Sequence, residues 1–229
     1  DLRLAAPFLA SGRVAALPNG LDLGALRAVQ LPRKRARAEL GLGEDAFAFV
    51  NVGRYHPDKD QAALVRAFSR AAPEMPRAQL LLIGAGRLRA ALEAQVQELG
   101  LEGRARVLGP IPGAARLLPG CDVYCSSSDR EPFGLVLAEA MAARLPVISS
   151  DCGGAPEVLG ALGRYFRRGD DQALAARMLA LYRMPAAARR DLGQALFRRL
   201  EQEFTPESFQ HRLFAMPMLA DWVGGCDEG

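Results

Sequence analysis

The chain has 229 residues, half of them hydrophobic, and a formal net charge of +3 at pH 7. This length suits one large domain, or one domain with extra segments, and the hydrophobic content is enough for a sizeable core. The net charge is too small for the basic stripe typical of nucleic-acid-binding domains, so we expect no nucleic-acid partner.

The four cysteines and two histidines do not indicate a metal centre. No Cys-x-x-Cys pair occurs, and the histidines are not spaced to join the cysteines on one metal ion. Unpaired thiols are typical of a reducing compartment, so we expect a cytoplasmic protein. No apolar run approaches the ~20 residues that cross a bilayer, so no transmembrane segment is expected, and no signal peptide is expected either.

Apolar runs of strand length alternate with longer helical patterns. The six strand candidates are 46–52, 79–83, 105–108, 122–126, 146–150 and 164–166. The helix candidates between them are 59–72, 87–99, 113–118, 134–143 and 155–159. We expect Asp58 to cap the first of these helices and Gly100 to end the second. The alternation predicts an α/β fold with a doubly wound, parallel, six-stranded sheet of the Rossmann-like type.

After the sixth strand the chain is predicted to be helical. Three extra C-terminal helices are expected at 170–183, 186–203 and 206–213. The turn signal Pro-Asn-Gly at 18–20 separates a leading segment, which is too short to be a domain, from the rest of the chain. We therefore divide the chain into a leading segment 1–17, a main domain 18–215 and a tail 216–229.

In doubly wound sheets ligands bind outside the carboxyl ends of the strands. After the first strand, Gly53 allows a tight turn, and Arg54 and Lys59 lie on one loop that leads into a helix. Two cations beside a helix start favour a diphosphate site, although a solvated loop with two surface charges explains them equally well. After the second strand, the sequence Gly-Ala-Gly at 84–86 lacks the third glycine of a dinucleotide fingerprint and indicates a tight turn that allows close approach of a ligand.

Two carboxylates follow the fourth strand, Glu131 before a helix and Glu139 inside it. The first-turn residues Gly134, Leu135 and Val136 would offer free N–H groups, which suit a phosphate anion. Capping or a solvent-facing position would also explain such carboxylates. However, the helix is otherwise apolar, so Glu139 is expected to be partly buried and to need partners such as sugar hydroxyls.

These residues together resemble the family-4 glycosyltransferases, which have the GT-B fold. Glu131 and Glu139 resemble the E-x7-E element of that family, and the sequence Gly-Gly-Ala-Pro-Glu-Val at 153–158 matches its G-G-x-P-E-V motif. The remaining similar segments are the hinge at 18–22, the phosphate loop at 52–59, the second-strand loop at 82–86 and the base-binding loop at 108–111. The segments occur in family order over residues 14 to 215, so the resemblance covers most of the chain.

The resemblance implies a role for each matching residue. Arg54 and Lys59 would hold the donor diphosphate, Glu139 would bind the ribose hydroxyls, and Glu131 would lie beside the donor sugar and the forming oxocarbenium charge. The other expected donor-binding positions are loop and backbone groups near the phosphates, sugar or base: Gly53, Gly109, Ile111, Phe133, Gly134, Leu135 and Val136.

The resemblance also implies a metal-independent reaction with no cofactor beyond the sugar nucleotide, a UDP-, GDP- or ADP-sugar. Asp58-Lys59-Asp60 is formally a D-x-D metal motif, but its central lysine and its place at a helix start argue against metal binding. Anomeric configuration would be retained. Whether retention proceeds through a covalent carboxylate or a same-face attack stays open, so Glu131 is not assigned as a nucleophile.

By this resemblance the chain is the donor-binding half of a transferase that acts on a glycan or lipid-linked acceptor, of the cell-surface polysaccharide or lipopolysaccharide type. Segment 1–17 would be the remnant of an N-terminal acceptor domain or hinge, and the chain alone would be inactive. Peripheral contact of the full enzyme with the inner membrane stays open. A non-catalytic nucleotide-sugar-binding or regulatory domain is the alternative. An NAD-dependent dehydrogenase is disfavoured, because the first loop is cationic rather than glycine-rich.

Overall fold

The computed structural model describes residues 20–131 and 134–216. The predicted leading segment 1–17, the first two residues of the Pro-Asn-Gly turn, Phe133 and nearly all of the predicted tail lie outside the described residues. The chain divides into two compact units. One comprises residues 24–200, and the other comprises the two ends of the chain, of which 20–23 and 201–216 are described.

The larger unit contains a six-stranded parallel sheet, which confirms the predicted fold class. Its strands are β1 (Phe47–Val52), β2 (Ala78–Ile83), β3 (Ala105–Leu108), β4 (Val123–Ser126), β5 (Val147–Ser150) and β6 (Arg164–Phe166). They lie in the order β3-β2-β1-β4-β5-β6, with every neighbouring pair parallel. The strand order reverses between β1 and β4, so a crevice for a ligand is expected at the carboxyl ends of these two strands.

Most of the predicted helices are present, with small differences at their ends. They are α1 (Leu23–Ala28), α2 (Arg33–Leu40), α3 (Gln61–Ala71), α4 (Arg89–Glu98), α5 (Leu135–Ala142), α6 (Ala155–Leu159), α7 (Asp171–Arg183), α8 (Ala186–Glu203) and α9 (Pro206–Phe214). Short 3-10 helices occur at Pro57–Lys59, Ala72–Glu74, Ala114–Gly120 and Gly160–Leu162. None of the helices in the described part of the chain is long and apolar enough to cross a bilayer.

Two expectations about helices were wrong, and two helices were missed. Helix α3 begins at Gln61 and is capped by Asp60, whose Oδ1 accepts from the Ala63 N–H at 3.3 Å, so Asp58 is not the cap. The predicted helix at 113–118 is a 3-10 helix with Pro119 inside it, since proline removes a helical N–H donor. Helices α1 and α2 were not predicted at all.

The core lies on both faces of the sheet. Phe49 and Leu80 on the central strands and Phe68 on α3 are fully buried, and each such side chain stabilises the fold by about 1.5–3 kcal/mol. Helix α7 packs against α3, where Arg66 Nε donates to Asp171 Oδ2 at 2.5 Å. The sheet is therefore covered on both sides, and ligands can reach it only at its edges.

Helix α2 is held by a buried arginine rather than by an apolar stripe. The Arg37 guanidinium, 8% exposed, donates to Gly120 O at 3.0 Å and Ala46 O at 2.7 Å, and it lies 3.7 Å from the Asp122 carboxylate. These contacts fix α2 beside the amino ends of β1 and β4. The sequence of this helix is mostly charged, so its hydrophobic pattern gave no signal.

The described part of the smaller unit contains the end of α8 and the whole of α9. Thr205 caps α9, accepting from the Ser208 N–H at 3.2 Å, and Phe204 is buried at 2% exposure. The Leu21 N–H donates to Phe204 O at 2.8 Å, which joins the described segments 20–23 and 201–216 within this unit.

Candidate functional site

The loops after β1 and β2 are in direct contact at the carboxyl edge of the sheet. Gly53 N donates to Ile83 O at 3.0 Å, and Tyr55 N donates to Ala85 O at 2.8 Å. A Cβ at Gly84 would lie only 1.9 Å from Gly53 O, so no larger residue fits there without moving the first loop. The glycines of the second loop thus allow it to pack closely against the first loop.

Tyr55 connects three strands at this edge and was not singled out from the sequence. Its side chain is fully buried, and its hydroxyl lies 2.7 Å from Leu82 O and also contacts Leu108 O. Burial raises the pKa of this hydroxyl to about 12, so it is a neutral donor at physiological pH. Because Gly109 directly follows Leu108, Tyr55 fixes the predicted base-binding loop relative to the predicted phosphate loop.

Arg54 is positioned by its backbone, while its side chain is exposed. Gln61 Nε2 donates to Arg54 O at 2.9 Å, and Gln61 itself is 1% exposed. The structure gives the Arg54 guanidinium no ion pair or hydrogen bond to any residue that it describes. Arg54 therefore presents an unneutralised positive charge at the carboxyl edge.

Lys59 and Glu131, which are far apart in sequence, form an ion pair. Their side chains are 20% and 12% exposed, so solvent screens the pair only partly. Ser127 Oγ donates to Lys59 O at 2.8 Å, and Ser128 Oγ donates to Glu131 Oε2 at 3.3 Å. The Ser-Ser-Ser run at 126–128 after β4 thus fixes a predicted diphosphate-binding cation next to the predicted catalytic carboxylate.

The Gly-Gly pair after β5 packs against the backbone of Glu131. Gly154 N donates to Glu131 O at 2.7 Å. Gly153 has φ +61°, and a Cβ there would lie 2.5 Å from Glu131 O. Ser150 Oγ donates to Ser128 O at 2.6 Å, which adds a second link between the two loops. The glycines therefore hold the backbone of Glu131 in place.

Helix α5 begins at the same edge with exposed backbone donors. Gly134 is its N-cap residue, with φ +79°, and no acidic residue occurs in the first turn. Among the described residues, the N–H groups of Leu135 and Val136 have no backbone acceptor, as expected for the first turn of a helix. The Leu135 side chain is 56% exposed. The helix start can therefore bind an anion.

Glu139 lies one turn inside α5 and is half-buried. Burial raises the pKa of its carboxyl, and no described residue forms a hydrogen bond or ion pair with it. Nearby, the fully buried Tyr124 hydroxyl donates to Val52 O at 3.2 Å. Burial raises the pKa of Tyr124, and the charges of Glu131 and Glu139 raise it further. Both carboxylates thus lie within electrostatic range of one hydroxyl.

The remaining predicted residues lie apart from this cluster. Gly109 is close to Arg89, since a Cβ at Gly109 would be 3.4 Å from Arg89 Nη1, and Ile111 is half-buried. In the formal D-x-D, Asp58 Oδ2 lies 3.2 Å from His56 Nδ1, while Asp60 caps α3. In the part of the chain that the structure describes, no group of three His, Cys, Asp or Glu side chains is placed to hold a metal ion.

Known proteins share this arrangement of strands and loops. The family described as "Glycosyl transferases group 1" matches residues 32–198. The chain belongs to the group 1 glycosyltransferase family. Over 193 residues it is 30% identical to N-acetyl-alpha-D-glucosaminyl L-malate synthase of Bacillus anthracis, covering 82% of this chain and 50% of that enzyme. The chain thus spans about half the length of that enzyme.

Solved structures agree on the fold. Anabaena Alr3699/HepE in complex with UDP superimposes with a TM-score of 0.81 at 22% identity, over 97% of this chain and 60% of that one. The C-terminal domain of the group 1 family protein LpcC from Francisella tularensis superimposes with a TM-score of 0.71 at 20% identity. That match covers 82% of this chain and 100% of the LpcC domain. The prediction of a C-terminal, Rossmann-like half of a GT-B fold is therefore confirmed.

Proposed function

We propose that this chain binds the nucleoside diphosphate of a sugar donor, as the donor half of a retaining, family-4 glycosyltransferase. The observation that carries the proposal is the convergence of four features at the carboxyl edge of the sheet. These are the exposed Arg54, the Lys59–Glu131 pair, the start of α5 and the half-buried Glu139. Within a group 1 glycosyltransferase, cations and amides beside two carboxylates suit an activated sugar donor.

The diphosphate would lie between the cationic loop and α5. Arg54 and Lys59 would neutralise its charge from one side, and the N–H groups of Leu135 and Val136 would donate from the other. These fixed donors would also stabilise the leaving diphosphate as charge develops, so the reaction needs no divalent metal. UDP is bound to HepE and not to this chain, so the HepE structure supports this view only through the shared fold.

The ribose of the donor would bind Glu139. A half-buried carboxylate without a described partner has lost part of its hydration, and the raised pKa reflects that cost. Two ribose hydroxyls donating to its two oxygens would replace the missing hydrogen bonds. The same contact would distinguish a ribonucleotide from its 2′-deoxy analogue.

Glu131 would lie beside the transferred sugar. Without donor, Lys59 neutralises this carboxylate. An incoming diphosphate would compete for the same ammonium group and would leave Glu131 free to stabilise positive charge on the sugar. The arrangement supports an electrostatic role for Glu131 and does not require that it act as a nucleophile.

The acceptor would be held by a part of the enzyme outside this chain. The relative from Bacillus anthracis is about twice as long as the matched stretch. Positioning the acceptor hydroxyl can supply about 7–11 kcal/mol of the barrier, so this chain by itself should not transfer sugar at a meaningful rate. We propose a glycan or lipid-linked acceptor of the cell-surface polysaccharide or lipopolysaccharide type.

Calorimetric titration with UDP, GDP and ADP, each with and without a chelator, tests the proposal. At least one nucleotide should bind with 1:1 stoichiometry, and the chelator should leave its affinity unchanged. Binding that disappears with the chelator would contradict the metal-free site. If none of the nucleotides binds, the chain is not a donor-binding domain.

A further inference from the structure

A cavity lies at the amino edge of the sheet, opposite the proposed donor site. Its volume is about 400 Å³. Asp122 and Pro146, which line it, directly precede β4 and β5, whereas Glu131 follows the carboxyl end of β4. Because parallel strands place their amino ends together, the cavity and the donor site are at opposite edges of the same strands.

Positive charge dominates the lining of this cavity. Four arginines, which carry guanidinium groups, line it together with one residue that carries a carboxylate, Asp122. That carboxylate is already engaged: Oδ1 is 2.7 Å from Arg33 Nη2, while Oδ2 accepts from Ala48 N at 2.8 Å and lies 3.7 Å from Arg37. The guanidinium groups are those of Arg33, Arg144, Arg189 and Arg190.

Two of these arginines, Arg189 and Arg190, are the fourth and fifth residues of α8, close to its amino end, where positive charge is electrostatically unfavourable. The amino end of a helix carries partial positive charge, and this 18-residue helix has no acidic residue in its first turn. Arg190 is exposed and has no ion pair or hydrogen bond with any described residue. Burial lowers the pKa of Arg189; Asp122 opposes this shift, and the like charges of Arg33 and Arg190 add to it.

The surrounding packing holds these charges close together. A Cβ at Gly193 of α8 would lie 1.9 Å from Arg144 O, so the helix and the turn before β5 are in van der Waals contact. The Arg144 guanidinium stacks over Phe197 at 4.5 Å, and that of Arg189 over Phe47 at 4.7 Å. The cavity is therefore a built feature of the fold and not a gap between mobile side chains.

We propose that this cavity binds a small, soluble, phosphate-bearing ligand, a phosphomonoester or a diphosphate, independently of the donor site. A phosphate group would neutralise the excess positive charge and accept from both the planar guanidinium forks and the α8 N–H groups. The volume is that of a small-molecule site. The large exposed hydrophobic side chains of the described residues, Val29, Leu99, Leu135 and Phe214, do not line the cavity, which favours a soluble ligand over a lipid.

An NMR titration of the ¹⁵N-labelled chain with inorganic phosphate and with pyrophosphate tests this site separately from the donor site. The amides of Arg144, Leu145, Val147 and residues 186–190 should shift in a saturable manner. Arg190→Gln should weaken that binding about tenfold or more, because a charged hydrogen bond is lost, and Arg190→Lys should weaken it less. Arg198→Gln is the matched control, because Arg198 is exposed on the same helix but does not line the cavity, and it should change the affinity less than twofold.

The absence of saturable shifts in these amides would overturn the proposal, as would equal losses for Arg190→Gln and Arg198→Gln. A parallel arm uses vesicles with and without phosphatidic acid. If Arg190 were needed for vesicle binding while free phosphate and pyrophosphate did not bind, the ligand would be a lipid headgroup, and the proposal of a soluble ligand would be wrong.

Discussion

Replacing Glu131 by glutamine should destabilise the empty protein and yet strengthen its binding to a nucleoside diphosphate. In the structure, Glu131 neutralises the Lys59 ammonium. The variant keeps a similar shape but leaves that ammonium without its counter-charge. A diphosphate entering the variant meets an unpaired cation and no repelling carboxylate.

The magnitude follows from the exposure of the pair. Exposed ion pairs contribute about 0–1 kcal/mol, whereas removing one partner of a fully buried pair costs about 3–5 kcal/mol. Lys59 and Glu131 are 20% and 12% exposed, which places them between these limits. We expect the free energy of unfolding to fall by about 1–2 kcal/mol, which lowers the melting temperature by about 2–8 °C. Binding of the diphosphate should tighten by a similar amount, about 5–30-fold.

Thermal unfolding and calorimetry with UDP measure the two effects on the same samples. The matched control is Glu74→Gln, because Glu74 pairs with Arg183 on the surface, where the side chains are 55% and 61% exposed. That variant should change stability by less than about 0.5 kcal/mol and should not alter binding. A Glu131→Gln variant that binds UDP no better than the parent would show that the Lys59 ammonium does not leave Glu131 to pair with the phosphates.

Three further predictions concern the same edge. Because burial raises the pKa of Glu139, its ionised form destabilises the fold above that pKa. Glu139→Gln should therefore raise the melting temperature at pH 7 but not below pH 4.5. The preference of this variant for ribonucleotides over 2′-deoxy analogues should be lower than that of the parent. Arg54→Ala should weaken diphosphate binding by about 1.5–3 kcal/mol without affecting nucleoside binding. Arg70 is also exposed, and Arg70→Ala should leave both affinities unchanged. Gly84→Ala should cost about 1–3 kcal/mol of stability and weaken diphosphate binding, because its Cβ would lie 1.9 Å from the loop after β1, whereas Gly43→Ala, with open space around it, should do neither. The assignment of Glu139 would be refuted if Glu139→Gln selected ribonucleotides as the parent does. That of Arg54 would be refuted if Arg54→Ala weakened nucleoside and diphosphate binding equally, and that of Gly84 if Gly84→Ala bound the diphosphate as tightly as the parent.

Much of the fold could be predicted because its strands are short apolar runs that alternate with helices. All six strands were located to within one or two residues, since runs such as β2 are buried along nearly their whole length. Helix α2 was missed because Arg37 and its hydrogen bonds hold it in place, and such contacts leave no hydrophobic period. The error at Asp58 arose because a 3-10 turn precedes α3, which moves the capping position to Asp60.

The candidate site shows a similar limit. Sequence spacing placed Glu131 and Glu139 around one helix start, and the rule for parallel sheets placed Lys59 at the same edge. The sequence could not show that Lys59 and Glu131 pair with each other, because that contact joins positions 72 residues apart. Tyr55 was also missed, since its role depends on reaching the carbonyl oxygens of two other strands. The role assigned to each site residue remains a prediction.

A crystal structure of the chain grown with UDP and a chelator would test the central claim most directly. We predict density for the diphosphate between Arg54, Lys59 and the N–H groups of Leu135 and Val136, with the Lys59 ammonium shifted from Glu131 toward the phosphates. A diphosphate bound elsewhere, or a Lys59–Glu131 pair unchanged beside a bound diphosphate, would contradict the claim that this edge is the donor site.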